Sequence, residues 1–316
     1  MWVHAVLIGS VWWIIDASWG WHYGGWMVKY LGYHDAYASG VIHAIAGGYA
    51  LGVLWVLGPR IGKFASNGKP RDIPPHNPWM VTLGIFMIYT GFWGFYAACN
   101  VPLISPEVIG GEIVGTTWTA TNIYLAPTTL GAITVNFLLS LSGGLMATYI
   151  VSKGDAFWTF SGGLAGIIGA SAGNDLYHPM QALIIGAIVP VIAYKLHNYV
   201  ERKFKIDDAV GAVAVHGYAG FLGVVIAGFV LWGAPSSPFE GYAVITPWGQ
   251  LAGAIIMFLV LGFIPAYVVA RIQAARGTLR IPAEVELQGL DLGGQQAYDD
   301  AVAEITAASA KHIKSK

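Results

Sequence analysis

Long apolar runs, separated by short polar or glycine- and proline-rich intervals, dominate the chain. A helix that crosses the hydrocarbon core of a bilayer needs roughly 20 apolar residues. Runs of that kind lie near Val3–Gly20, Ala36–Gly58, Pro78–Asn100, Pro127–Ser152, Phe157–Gly173, Tyr177–Val200, Val210–Gly233 and Thr246–Ile272. The fifth is the shortest and the richest in glycine and serine. The pattern predicts an all-α integral membrane protein, a bundle of about eight transmembrane helices. After Gly277 the sequence turns polar, with Asp299, Asp300, Lys311 and Lys314. The expected organisation is a transmembrane domain over 1–276 and a cytoplasmic tail over 277–316, partly helical at Gln295–Ala310.

Composition agrees. Of 316 residues, 56% are hydrophobic and 10% charged, whereas a soluble domain is usually about 25% charged because its surface must stay hydrated. A net charge of -1 gives no footprint for nucleic acid. The single cysteine, Cys99, excludes an intramolecular disulfide framework, and no Cys/His cluster suggests a metal or cofactor. Glycine (42 residues) fits a bundle whose helices approach closely. Met1 leads almost directly into the first apolar run, so a cleaved signal peptide is not expected.

Charge then sets the orientation. Arg60, Lys63, Lys69 and Arg71 follow the second span; Lys153 follows the fourth; Arg202, Lys203 and Lys205 follow the sixth; Arg271, Arg276 and Arg280 follow the eighth. The alternate connections at Val101–Thr116, Asn174–Leu176 and Ala234–Ile245 contain no Lys or Arg, and Lys29 is the lone exception. By the positive-inside rule, both termini of this multi-pass chain are expected in the cytoplasm, with the protein in the plasma or inner membrane.

Two stretches repeat one pattern: Asp35 stands eight residues before His43, and Asp208 eight before His216, with small residues between and glycines just after. Loop charges make the two enter from opposite faces, as in transporters built from inverted repeats. Eight helical residues rise about 12 Å, so in a core about 30 Å thick both histidines should lie near the midplane. Ionisable side chains at that depth are costly and face a cavity or a partner. With a reference value of about 6.5, histidine suits a proton-coupled task.

At these residues the sequence resembles the ammonium transporter family (Amt/Mep/Rh). The stretch Asp35–His43 with Gly47, Gly48 and Gly58-Pro59-Arg60 is similar to the family's first pore-histidine helix. His76-Asn77-Pro78 with Gly91–Phe95 is similar to the helix carrying an aromatic gate, Asp207-Asp208 with His216 to the second pore-histidine motif, and Gly289–Asp291 with Ala297-Tyr298 to the cytoplasmic tail. The resemblance implies a homotrimer with one hydrophobic pore per subunit. Ammonium is deprotonated at an outer site and passed along twin histidines. By matching position, His43 and His216 are the pore and relay pair, Phe95 and Phe92 the gate and pore aromatics, and Tyr23, Cys99 and Asp35 the outer ammonium site, with Trp21 or Trp26 able to substitute for Tyr23. Asp35 can equally be a helix cap. Gly211 stands where the family usually has an Asp, and the tail implies a PII-type signalling partner. The match starts at the family's fourth helix, so three helices are expected to be missing.

Other polar residues get simpler assignments. Asp16 either faces the vestibule or, the favoured reading, sits at the outer end of its helix, and Asp175 and His178 are expected in a solvated outer loop. Trp12, Trp13, Trp19, Trp21 and Trp26 suit an interfacial belt, with lining of the vestibule by some of them as the alternative. No nucleophilic triad, phosphate loop or carboxylate pair suggests an enzyme. Transport is therefore the leading reading, with a non-conducting ammonium sensor or accessory subunit, or a channel for another small neutral gas, as alternatives.

Overall fold

A computed structural model describes residues 2–75 and 77–289. His76 and the tail residues Asp291, Ala297, Tyr298 and Gln295–Ala310 lie outside the described residues. Seven helices are long and apolar enough to cross a membrane: α1 (Trp2–Trp21), α2 (Ser39–Leu57), α3 (Pro78–Ala98), α4 (Leu130–Val151), α6 (Pro179–Phe204), α7 (Val213–Val230) and α8 (Pro247–Ala275). An eighth apolar helix, α5 (Ala156–Ala170), is shorter, and a short α9 (Ala283–Gln288) follows α8. All eight expected spans are therefore helices.

Their starts are encoded by side chains that accept the first free backbone N–H groups. Asn77, Thr129, Asp155 and Thr246 cap α3, α4, α5 and α8, and His178 with Gln181 forms a reciprocal capping box on α6. The fifth span stops at Ala170 instead of Gly173, because the next residues leave the helix to serve as acceptors. Ser171 O and Ala172 O take the N–H groups of Tyr37 and Ala36, at 3.1 Å each. Irregular backbone at this depth survives only where protein groups satisfy it.

α4, α5 and α6 pack together, and α2 packs against α7 and α8. Small residues make both contacts possible. A Cβ on Gly47 would lie 2.0 Å from the backbone nitrogen of Gly217, so α2 and α7 cross with their main chains touching. α1 and α3 are the least buried of the spans.

One connection departs from expectation. The stretch read as a plain outer loop forms an antiparallel hairpin, β1 (Val101–Ile109) with β2 (Glu112–Thr121), extended by β3 (Pro127–Thr128). Gly110 and Gly111, both at positive φ, make the reversal. Outside the hydrocarbon run the period-3.6 apolar signal ends, and a short hairpin leaves no comparable trace in composition.

Contacts sort the connections onto two ends. At one end Arg60 forks onto Asp207 (Nε–Oδ2 2.7 Å, Nη2–Oδ1 2.9 Å), Lys63 meets Glu201 at 2.6 Å and Lys205 reaches Gly68 O. Arg280 bonds Glu286 and the carbonyls of Leu57 and Pro59, folding the start of the tail onto this end. Burial opposes ionisation of Asp207, but the Arg60 hydrogen bonds outweigh it and hold the carboxyl below its usual value. The opposite end gathers His34, Asn122, Asp175 and Ser236. The cationic connections after the second, sixth and eighth spans thus share one end.

Candidate functional site: a histidine pair and the cavity beside Trp21

The two Asp-to-His stretches fold alike, with the same backbone hand, and run in opposite directions. Asp35 Oδ2 accepts the N–H groups of Gly40 (2.7 Å) and Val41 (2.9 Å) and the hydroxyl of Tyr33 (3.1 Å). Asp208 Oδ2 accepts the N–H of Ala214 at 3.1 Å. In each stretch the third residue after the aspartate takes a left-handed conformation, Ala38 in the first and Gly211 in the second, both at φ +69. That accounts for glycine at 211, because the position needs a positive φ. Asp35 is fully buried and caps the first turn, a role compatible with a place near the outer site.

Both histidines sit in widened, π-type turns, Ser39–Ala44 and Val213–Tyr218. Such turns are rare in helices and often mark functional sites. Where α2 and α7 cross, His43 Nδ1 lies 3.0 Å from His216 Nδ1, with ring centroids 5.1 Å apart and planes 18° from parallel. In a contact between two ring nitrogens one must donate and the other accept, so only one proton fits between them. Two imidazolium rings would set N–H against N–H. His43 is 5% exposed, and its Nε2 has no hydrogen-bond partner among the described residues. His216 is half-buried.

Aromatic rings run from the pair toward one end. Phe92 lies 5.1 Å from the His43 ring, Phe95 is 5.8 Å from Phe92, and Trp21 stacks on Phe95 at 5.9 Å and 24°. Trp21 also walls a cavity of about 500 Å³ with Ala17, Ser18, His22 and Ile123. The structure brings together His43, His216, Phe92, Phe95 and Trp21. Tyr23 is not among them: it is 39% exposed, with its ring against His22 and Phe239. Cys99 is buried at the end of α3, donating its backbone N–H to Phe95 O.

Two simpler assignments are corrected. Asp16 is fully buried within α1, and neither carboxylate oxygen has a partner among the described residues. Asp175 is not solvated: its side chain is 0% exposed and holds His34 and Asn122. His178 is exposed, as expected. Sequence reading missed His34 and Ile123, and also His4, whose ring bridges Tyr49 (3.0 Å) and Gln273 (2.7 Å) to pin α1 to α2 and α8. Partners this far apart in sequence leave no local spacing signal. No group of three metal-ligating residues occurs among the described residues.

Eight apolar helices, with two antiparallel ones crossing at a histidine pair, define a multi-pass membrane protein of inverted-repeat design. The sequence model of the Ammonium Transporter Family matches residues 1–298, and the chain belongs to that family. It is 29% identical over 295 residues to the ammonium transporter Amt1 of Methanocaldococcus jannaschii (92% of this chain, 67% of that protein). It is 33% identical to Amt2 of the same organism (85% and 57%) and 31% identical to Amt2 of Archaeoglobus fulgidus (93% and 63%). Among solved structures the fold matches a "Sensor Amt Protein" (TM-score 0.70, 24% identity, 90% of this chain and 67% of that one) and Candida albicans Mep2 (TM-score 0.66, 22%, 88% and 58%). The chain spans only 57% of M. jannaschii Amt2 and 63% of A. fulgidus Amt2.

Proposed function

We propose that the protein moves ammonium or ammonia across the cell membrane along the line from the Trp21 cavity to the His43–His216 pair. The 3.0 Å contact between the two rings carries this reading. Ammonium entering the cavity meets Trp21, whose ring attracts a cation through its quadrupole, with Phe95 stacked on that ring. Phe95 and Phe92 then exclude water, and an ammonium ion stripped of water is costly at that depth. Ammonium gives up its proton so that ammonia passes the rings, and the proton is taken by the histidine pair at the partnerless Nε2 of His43, since the Nδ1 contact already holds one. In this reading Trp21 takes the place assigned to Tyr23 at the outer site, and Asp35 serves it by fixing the start of α2.

The Arg60 and Lys205 end faces the cytoplasm, with both termini of the chain, and a homotrimer is the working assembly. A PII-type protein would meet the same end. The supports are the loop charges and the family membership. A second reading, ammonium sensing without conduction, is favoured by the partial exposure of His216, which these helices do not close over. Methylammonium uptake by transporter-deficient cells expressing this chain, with insertion verified, separates the two. Uptake lost in His216→Ala supports conduction; a correctly inserted chain without uptake that still binds a partner supports sensing.

A further inference from the structure

At the end opposite Arg60, His34 is completely buried. Its Nε2 is 3.1 Å from both carboxylate oxygens of Asp175. Its Nδ1 is 3.3 Å from Ser236 Oγ, whose own hydrogen is donated to Tyr33 O at 2.8 Å. Ser236 Oγ can therefore only accept from the ring, and an ionised Asp175 can only accept as well. Both ring nitrogens face acceptors, an arrangement that suits the imidazolium and leaves a neutral ring with one lone pair against another. Gln250 locks the backbone around it, accepting from His34 N (2.9 Å) and donating to His34 O (2.6 Å).

The node reaches the cavity. Asp175 Oδ2 also accepts from Asn122 Nδ2 at 2.5 Å, and Asn122 Oδ1 accepts the N–H groups of Tyr124 and Ala126, shaping the turn that carries Ile123 into the cavity wall. Within that turn Tyr124 donates its hydroxyl to Gly20 O, beside Trp21, and accepts Asp35 N. The other titratable groups around the ring are Asp35, next in sequence, Tyr33, and Tyr124, whose ring centroid is 5.0 Å away.

We propose that His34 stands as a buried imidazolium that positions the wall of the outer cavity through Asp175 and Asn122, and that the grip weakens when the ring loses its proton. Burial opposes the charge, but the Asp175 carboxylate outweighs it and holds His34 above the ordinary histidine value. A raised value means that the stabilisation is complete below about 6.5, the unfolded value, and disappears as pH rises through the folded value. The role in entry rests on reading the cavity as the mouth; the clamp itself does not.

The test is thermal unfolding of the full chain in detergent, from about one unit below to about two units above the ordinary histidine value of about 6.5. The wild-type midpoint should fall by about 3 °C or more across that interval, while His34→Gln and Asp175→Asn begin lower and stay flat. A flat wild type, or variants falling in parallel with it, overturns the clamp. Hydrogen exchange of residues 122–128 in the wild type decides the matter even if neither variant inserts. Protection, corrected for intrinsic rate, should drop several-fold at the alkaline end, and unchanged protection overturns it. Methylammonium uptake separates the two claims: a wild type that transports nothing but unfolds as described removes the transport reading and keeps the clamp.

Discussion

Two histidines on one stretch of chain, His34 and His43, are both buried, yet their partners give them opposite chemistry. His43 faces another imidazole, a group that can donate or accept, and the contact holds one proton. His34 faces a carboxylate and a hydroxyl whose hydrogen is already used, and both its nitrogens are called on to donate. Burial alone does not set the character of a membrane histidine; the hydrogen-bonding sense of its neighbours does. The first arrangement suits a proton that must move, the second a proton that must stay.

The contrast is broken most severely at the charged node. His34→Ala should cost about 3–5 kcal/mol, because it leaves the Asp175 carboxylate buried without its cation; equilibrium unfolding in mixed micelles would measure it. Gly47→Ala comes next, at about 3 kcal/mol, since the added methyl meets the Gly217 main chain and no side chain can move aside. The same change should separate α2 from α7 and weaken the histidine contact, readable as a fall in uptake. His43→Ala should cost only about 1–2 kcal/mol of stability, yet lower uptake by roughly a hundredfold, the scale of losing a positioned proton-transfer group. A variant of that kind with undiminished uptake would separate the pair from conduction. The smallest effect compares the two repeats: Gly211→Ala should lose about 1 kcal/mol by placing a Cβ at positive φ. Ala38→Gly, which relieves the same strain while loosening the unfolded chain, should change stability by less.

Much of this was legible in the sequence. Every span was, because a bilayer demands long apolar runs and the polar caps before Pro78, Pro179 and Pro247 punctuate them. The meeting of His43 and His216 was legible too, because equal spacing from Asp35 and Asp208 on opposed helices fixes a common depth. Among Tyr23, Trp21 and Trp26 the sequence left the choice open, since the turn after α1 decides which ring reaches Phe95. Asp175 read as a solvated loop residue because its partners, His34 and Asn122, come from distant segments that only tertiary packing assembles. Asp16 shows the same limit: burial of a lone acid has no local signature.

Proton placement separates the two kinds of histidine, and nitrogen-15 NMR of the histidine side chains in lipid, assigned with His34→Gln and His216→Ala, observes it directly. At about pH 6, below the ordinary histidine value, His34 should show both ring nitrogens protonated, while the His43–His216 pair keeps at least one Nδ1 bare. A neutral His34, or two imidazolium rings at the crossing of α2 and α7, would contradict it.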